Sequence, residues 1–95
     1  MNEPCCEDSL WREVTVVNEL GLHARSAGLI AKAARSAEGR VWLQKETECI
    51  DAKQVIDILT LAAARGDRLR VGIETGADRK TLEHIAALFA GGFGE

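Results

Sequence analysis

Apolar and polar residues alternate over residues 11–17, with Val14 and Val16 on one side and Glu13 and Thr15 on the other. A period of two with one apolar face predicts a half-buried strand. Asn18-Glu19-Leu20-Gly21 then reads as a loop. Over residues 24–36 the period lengthens. Ala27, Ile30, Ala31 and Ala34 form a stripe, while Lys32 and Arg35 face away, the pattern of an amphipathic helix. Its small residues allow close packing on a sheet, and Gly39 ends the turn that follows. Residues 40–45 predict a second strand, with Val41 and Leu43 on one face. Residues 47–51 predict a third, paired with the second as a hairpin despite the poor turn pair Glu46-Thr47. Asp51 is placed to cap a helix over 52–64, with Arg65 complementing its end and Gly66 stopping it. Residues 68–75 alternate most clearly: Leu69, Val71 and Ile73 against Arg68, Arg70, Gly72 and Glu74. Asp78 opens a last helix with Leu82, Ile85, Ala86 and Phe89 on one face, closed by Gly91-Gly92.

The order is β-α-β-β-α-β-α, which predicts an α+β fold. A four-stranded, largely antiparallel sheet covered on one face by three helices is the economical way to bury one apolar face per element. With 95 residues the chain makes one domain. Residues 1–9 read as a flexible N-terminal extension, and residues 10–95 as the domain.

Composition narrows the chemistry. The chain is 46% hydrophobic, enough for a core, but a domain this small buries only about two-thirds of its unfolded surface. Chemistry is therefore expected near the surface. A net charge of -3 with no dominant basic tract speaks against nucleic acid. No apolar run approaches the ~18 residues of a membrane span. The acidic start lacks the basic and apolar regions of a signal peptide, so a cytoplasmic protein is expected. Cys5 and Cys6 are adjacent and Cys49 is distant. That odd set gives no disulfide framework or zinc pattern, and reads as unbonded thiols.

The candidate chemistry lies in Gly21-Leu22-His23-Ala24-Arg25-Ser26-Ala27, at a strand-to-helix junction. Unpaired amides at a helix start attract anions. Arg25 adds a fixed charge whose donors match phosphate oxygens. Imidazoles titrate near neutrality, and an unprotonated ring nitrogen can attack phosphorus. The set suits transient acceptance of a phosphoryl group. No phosphate-cradling glycine loop with lysine and no carboxylate cluster is present, so neither a nucleotide, a cofactor nor a metal is expected. Donor and acceptor chemistry must then belong to other proteins. His84, within the last helix, reads as a surface histidine.

Asn18-x-x-Gly21-Leu22-His23-Ala24-Arg25 resembles the active-centre signature of HPr, the histidine-containing phosphocarrier family of the bacterial phosphotransferase system. Asp51-Ala52-Lys53 before an apolar helix is similar to the family's second signature. Leu88-Phe89-x-x-Gly92-Phe93-Gly94-Glu95 is similar to tails of its nitrogen-related branch. The resemblance implies an open-faced β-sandwich. It implies that Nδ1 of His23 receives a phosphoryl group from enzyme I, charged by phosphoenolpyruvate, and passes it to an enzyme IIA protein or domain. Arg25 would contact the phosphate, with the amides near Ala24 and Ser26 helping to hold it. Partners would dock on the first two helices, at Lys32, Arg35, Val55, Ile56 and Leu59. The chain departs from the family at two places. Ser26 stands where proline is common, losing a backbone restraint but bringing a hydroxyl and an N–H near the phosphate. Gln54 stands where many members carry a serine modified by a kinase, so that regulation is expected to be absent. The missing serine and the tail favour a regulatory relay over sugar uptake. A competing reading is an interaction module whose binding follows its phosphorylation state without onward transfer. A third is an unrelated small ligand-binding domain.

Overall fold

The computed structural model describes residues 10–95, so the expectation for residues 1–9 lies outside the described residues. Strands β1 (Trp11–Thr15), β2 (Val41–Lys45), β3 (Glu48–Asp51) and β4 (Arg68–Ile73) form one antiparallel sheet in the order β1-β4-β2-β3. Helices α1 (Ala24–Ala34), α2 (Val55–Thr60) and α3 (Arg79–Ala90) cover one face of it. Short 3-10 turns occupy Gly76–Asp78 and Gly92–Gly94. This is the predicted architecture.

The period-two residues build the sheet's half of the core. Val14, Val41, Leu43, Leu69, Val71 and Ile73 are all buried. They meet Ile30, Ala31 and Ala34 of α1, Ile58 of α2, and Leu82, Ile85 and Phe89 of α3. Each fully buried large aliphatic or aromatic side chain contributes roughly 1.5–3 kcal/mol. The β2–β3 hairpin forms because Glu46 takes a positive φ of 55° in its two-residue turn, which no turn-forming side chain advertises.

The second helix differs from the expected span of 52–64. The Asp51 carboxylate accepts the Lys53 N–H at 2.9 Å, making a turn rather than a helical cap, and α2 begins only after Gln54. It stops at Thr60, and tertiary bonds take the carbonyls beyond it that a longer helix would use. Lys45 Nζ donates to the oxygens of Leu61 (3.1 Å) and Ala62 (3.4 Å), and Leu22 N–H to that of Ala63 (3.0 Å). Ala62 turns left-handed at φ 50°. Arg65 and Gly66 therefore lie in the connection to β4. Gly66 N–H bonds the Val16 carbonyl there, prolonging the β1–β4 ladder.

Asp78 heads α3 without capping it. Its buried carboxylate instead accepts the N–H groups of Glu38 and Gly39, both at 2.8 Å, and pins the α1–β2 connection to the start of α3. Those bonds hold its pKa below the ordinary 3.8, the Glu38 contribution being largest. His84 is exposed, as expected. Cys49 is disulfide-bonded, which corrects its reading as a thiol.

The loop before α1 is fixed by Gly21, at φ 67°. A Cβ there would lie 2.5 Å from the Ala63 carbonyl oxygen. Gly21→Ala is expected to cost at least ~2 kcal/mol, from a left-handed residue worth ~1–2 kcal/mol plus the clash; urea denaturation measures it. Asp78→Asn tests the acid linkage. Because the folded carboxyl titrates lower than the unfolded one, its stabilisation is present above the ordinary 3.8 and lost as pH falls through the lower folded value. The gap in stability between the parent and Asp78→Asn should be widest near neutrality and shrink in acid, as read from unfolding curves across pH.

Candidate functional site

His23 is the N-cap of α1, with extended backbone at φ -130° and ψ -173°. That geometry closes a reciprocal cap. His23 N–H donates to Ser26 Oγ at 2.9 Å, and His23 Nδ1 accepts the Arg25 N–H at 3.3 Å. Ser26 Oγ also lies 3.2 Å from the carbonyl oxygens of Gly21 and of His23, to which it donates. The hydroxyl is thus fully buried in the cap and is not offered to a phosphate, contrary to the expectation for Ser26. Its role is the one a capping-box side chain has at N3.

The other ring nitrogen is held from the far end of the chain. Nε2 lies 2.5 Å from Glu95 Oε2. One neutral tautomer satisfies both bonds: the proton on Nε2, facing the carboxylate, and the lone pair on Nδ1, facing the Arg25 amide. Arg25 shares the same carboxylate, with Nη1 3.6 Å from Glu95 Oε2, and donates to the Phe93 carbonyl at 2.9 Å. Asn18 Nδ2 donates to Glu95 Oε1 at 3.1 Å and to the Gly21 carbonyl at 2.8 Å. His23 and Asn18 together lower the pKa of Glu95 below the ordinary 4.5, His23 most, and Arg25 adds an electrostatic pull. The carboxylate is the point where histidine, guanidinium and amide meet.

Glu95 reaches the site because α3 is followed by a tight reversal. Gly92, Phe93 and Gly94 all have positive φ, at 62°, 57° and 76°. Phe93 holds this uncommon conformation by burying its ring edge-on against Phe89, with centroids 5.0 Å apart. The sequence drew attention to this tail but assigned no role to Glu95 or Phe93. The available signal was an apolar residue inside a glycine-rich stretch, which needs burial to make sense. Asn18 had been quoted in a motif and is now seen to order the loop. Its Oδ1 is the buried side-chain polar atom without a partner among the described residues.

The remaining predicted residues divide. Ala24 is exposed in the first turn, beside the ring. Lys32 is exposed on α1, but nine residues of helical rise put it ~13 Å from His23. Arg35 is further along, and its Nε donates to the Lys53 carbonyl at 3.0 Å, tying α1 to the start of α2. The helices run antiparallel, so the C-terminal end of α2 lies beside Gly21 and Leu22. Ile56 is 73% exposed and Leu59 37%, whereas Val55 packs against the core. Gln54 caps α2 by position and carries no side-chain capping bond. An open depression of about 720 Å³ adjoins Glu95, with Val17, Asn18, Leu20 and Arg65 in its wall. Among the described residues, no group of three or more His, Cys, Asp or Glu could hold a metal ion, and no helix is long and apolar enough to cross a membrane.

Residues 10–91 match the family model described as PTS HPr component phosphorylation site. The chain is 29% identical over 86 residues to the phosphocarrier protein HPr of Cupriavidus necator, covering 90% of this chain and 97% of that protein. With the phosphocarrier protein HPr of Treponema pallidum it shares 32% identity, over 88% of this chain and 96% of the other. The fold superposes on the crystal structure of HPr-C-His from Thermoanaerobacter tengcongensis with a TM-score of 0.84 at 25% identity, covering 90% and 96% of the two chains. With a capped histidine at the start of α1 and a family match that takes in the whole sheet, the chain belongs to the HPr family of the phosphotransferase system.

Proposed function

We propose that the chain is a phosphocarrier that takes a phosphoryl group onto Nδ1 of His23 from phosphorylated enzyme I and hands it to an enzyme IIA protein or domain. The observation that carries this reading is the division of labour on the imidazole. Glu95 Oε2 lies 2.5 Å from Nε2, a contact that suits a proton on Nε2 and leaves the Nδ1 lone pair as the nucleophile. The bond that Nδ1 accepts from Arg25 N–H is long, at 3.3 Å, and easily exchanged.

The step balances without a cofactor. The Nδ1 lone pair forms the bond to phosphorus as the bond to enzyme I breaks. The ring becomes cationic with its proton still on Nε2, and the Glu95 carboxylate stabilises that charge. The Arg25 amide, freed from Nδ1, can donate to a phosphoryl oxygen at the positive end of α1. The Arg25 side chain, 56% exposed, can leave the Phe93 carbonyl to pair with the phosphate. Attack by the acceptor's nucleophile on phosphorus reverses the sequence and restores the resting bonds. The protein is changed and restored in each cycle, so it is a carrier rather than a catalyst.

Docking falls to the exposed residues of α1 and α2 and of the loop before α1. Ile56 and Leu59 offer apolar surface on α2, and Val17 and Leu20 are exposed on the loop next to Gly21. Lys32 offers charge on α1. Arg35 is already committed to the Lys53 carbonyl, and Val55 to the core, so both contribute through the framework. Gln54 offers no hydroxyl for a serine-directed kinase, which fits a relay regulated in another way.

Incubation with enzyme I and phosphoenolpyruvate should add one phosphoryl mass, labile in acid and stable in base. His23→Ala should abolish the adduct; its persistence would place the acceptor elsewhere. Onward transfer to an enzyme IIA separates a carrier from a module that only signals its state. Arg25→Ala should slow acceptance by on the order of 10–100-fold. Its stability in urea should change by less than ~1 kcal/mol, since the side chain is mostly exposed.

A further inference from the structure

Asn18 has no part in the transfer step described above, yet it is only 6% exposed in the loop that leads to His23. Its side chain is used unevenly. Oδ1 has no hydrogen-bond partner among the described residues, whereas Nδ2 makes two bonds. A buried acceptor without a donor is costly. Ordering the loop does not call for it, since a serine or threonine hydroxyl can donate one bond to a nearby carbonyl and leaves no amide oxygen idle. What the short amide adds is a second N–H on the same nitrogen. One N–H goes to the Gly21 carbonyl at 2.8 Å and the other to Glu95 Oε1 at 3.1 Å.

These two bonds close a circuit around the histidine. Ser26 Oγ lies 3.2 Å from the Gly21 carbonyl oxygen and accepts the His23 N–H at 2.9 Å. From the other side, Asn18 joins that same oxygen to Glu95, whose Oε2 meets the ring at Nε2. The backbone and the ring of His23 are thus both referred to one carbonyl. Arg25 is a further donor to Glu95, but its contact is longer, at 3.6 Å, and its side chain is 56% exposed. The order of influence on the carboxyl agrees. Its pKa is lowered from the ordinary 4.5 by the bond from His23 first, then by that from Asn18, with Arg25 last.

We propose that Asn18 is a positioning residue: it holds the Glu95 carboxylate against Nε2 of His23 while Arg25 turns to the phosphate, and so keeps the ring reactive at Nδ1. The step it serves is the transfer proposed above, while the clamp belongs to the unphosphorylated chain. Without the amide, Glu95 would follow the guanidinium toward the incoming phosphoryl group. It would then give up Nε2 and repel a group of its own sign. Asn18 prevents this because it is buried and its second N–H is anchored on the Gly21 carbonyl.

NMR on the unphosphorylated full chain reads the clamp without any variant. The His23 Nε2–H signal should be visible near neutral pH, protected from exchange by Glu95. The Asn18 side-chain amide signals should move as Glu95 titrates, below the ordinary 4.5. In Asn18→Ala the Glu95 midpoint should rise toward that value and the Nε2–H signal should broaden. Asn18→Ser, the milder replacement, should shift both in the same direction and serves where the alanine variant does not fold. Acceptance from phosphorylated enzyme I should slow by on the order of 10-fold in Asn18→Ala, the worth of one hydrogen bond to a charged group. In a Glu95→Ala background the same substitution should change the rate by less than ~2-fold, because nothing is left to position. An undiminished penalty in that background, or Asn18 amide signals indifferent to the Glu95 titration, would overturn the proposal and leave Asn18 as a loop-ordering side chain. A parent chain that takes no phosphoryl group removes the carrier reading instead, and the NMR result then decides the clamp alone.

Discussion

The first turn of an α-helix leaves backbone N–H groups that some other atom must satisfy, and here a histidine side chain supplies that atom. His23 adopts extended backbone at the N-cap, and its ring nitrogen accepts the Arg25 amide while Ser26 returns a bond to its own N–H. The imidazole cannot rotate freely without giving up a capping bond. The helix is therefore both what presents the histidine and what the histidine completes. Gly21 makes the arrangement possible, since its left-handed backbone lets the loop pass against the Ala63 carbonyl.

A second restraint comes from the opposite end of the chain. Glu95 ties Nε2 to Arg25 and Asn18, so the charge of the guanidinium is partly neutralised in the resting protein. A phosphoryl group arriving at His23, as proposed, would carry the same sign as that carboxylate and compete with it for Arg25. On the proposed reading, that competition would keep a bound phosphoryl group from becoming too stable, which suits a carrier that must release what it accepts. A guanidinium committed wholly to phosphate would favour acceptance and penalise onward transfer.

Most of the fold could be read from the sequence because its elements are strongly periodic. Val14, Val41, Leu43, Leu69, Val71 and Ile73 announce their faces by alternation, and the α1 stripe by its helical spacing. What escaped was set by contacts distant in sequence. The end of α2 was misplaced because Lys45 and Leu22 take the carbonyls that a longer helix would use. Asp78 looked like a helix cap and instead bonds the amides at 38 and 39. At the candidate site, the place of His23 at the start of α1 could be read from its local setting. The place of Glu95 could not, because the glycine-rich stretch after α3 does not show where the reversed chain delivers its side chain. Ser26 was assigned to the ligand side when its hydroxyl completes the cap.

The sheet separates two kinds of chemistry. Its covered face supports α1 and the loop that presents His23, so a change there propagates into the ring's geometry through packed side chains. Its open face carries Trp11, Trp42 and the bonded Cys49, and contributes nothing to the cap. Because alternate residues of one strand point to opposite faces, Leu43 can pack under α1 and α2 while Trp42 and Gln44 face outward. Coupling between the faces would have to run through β2, whose buried residues are too closely packed to shift alone.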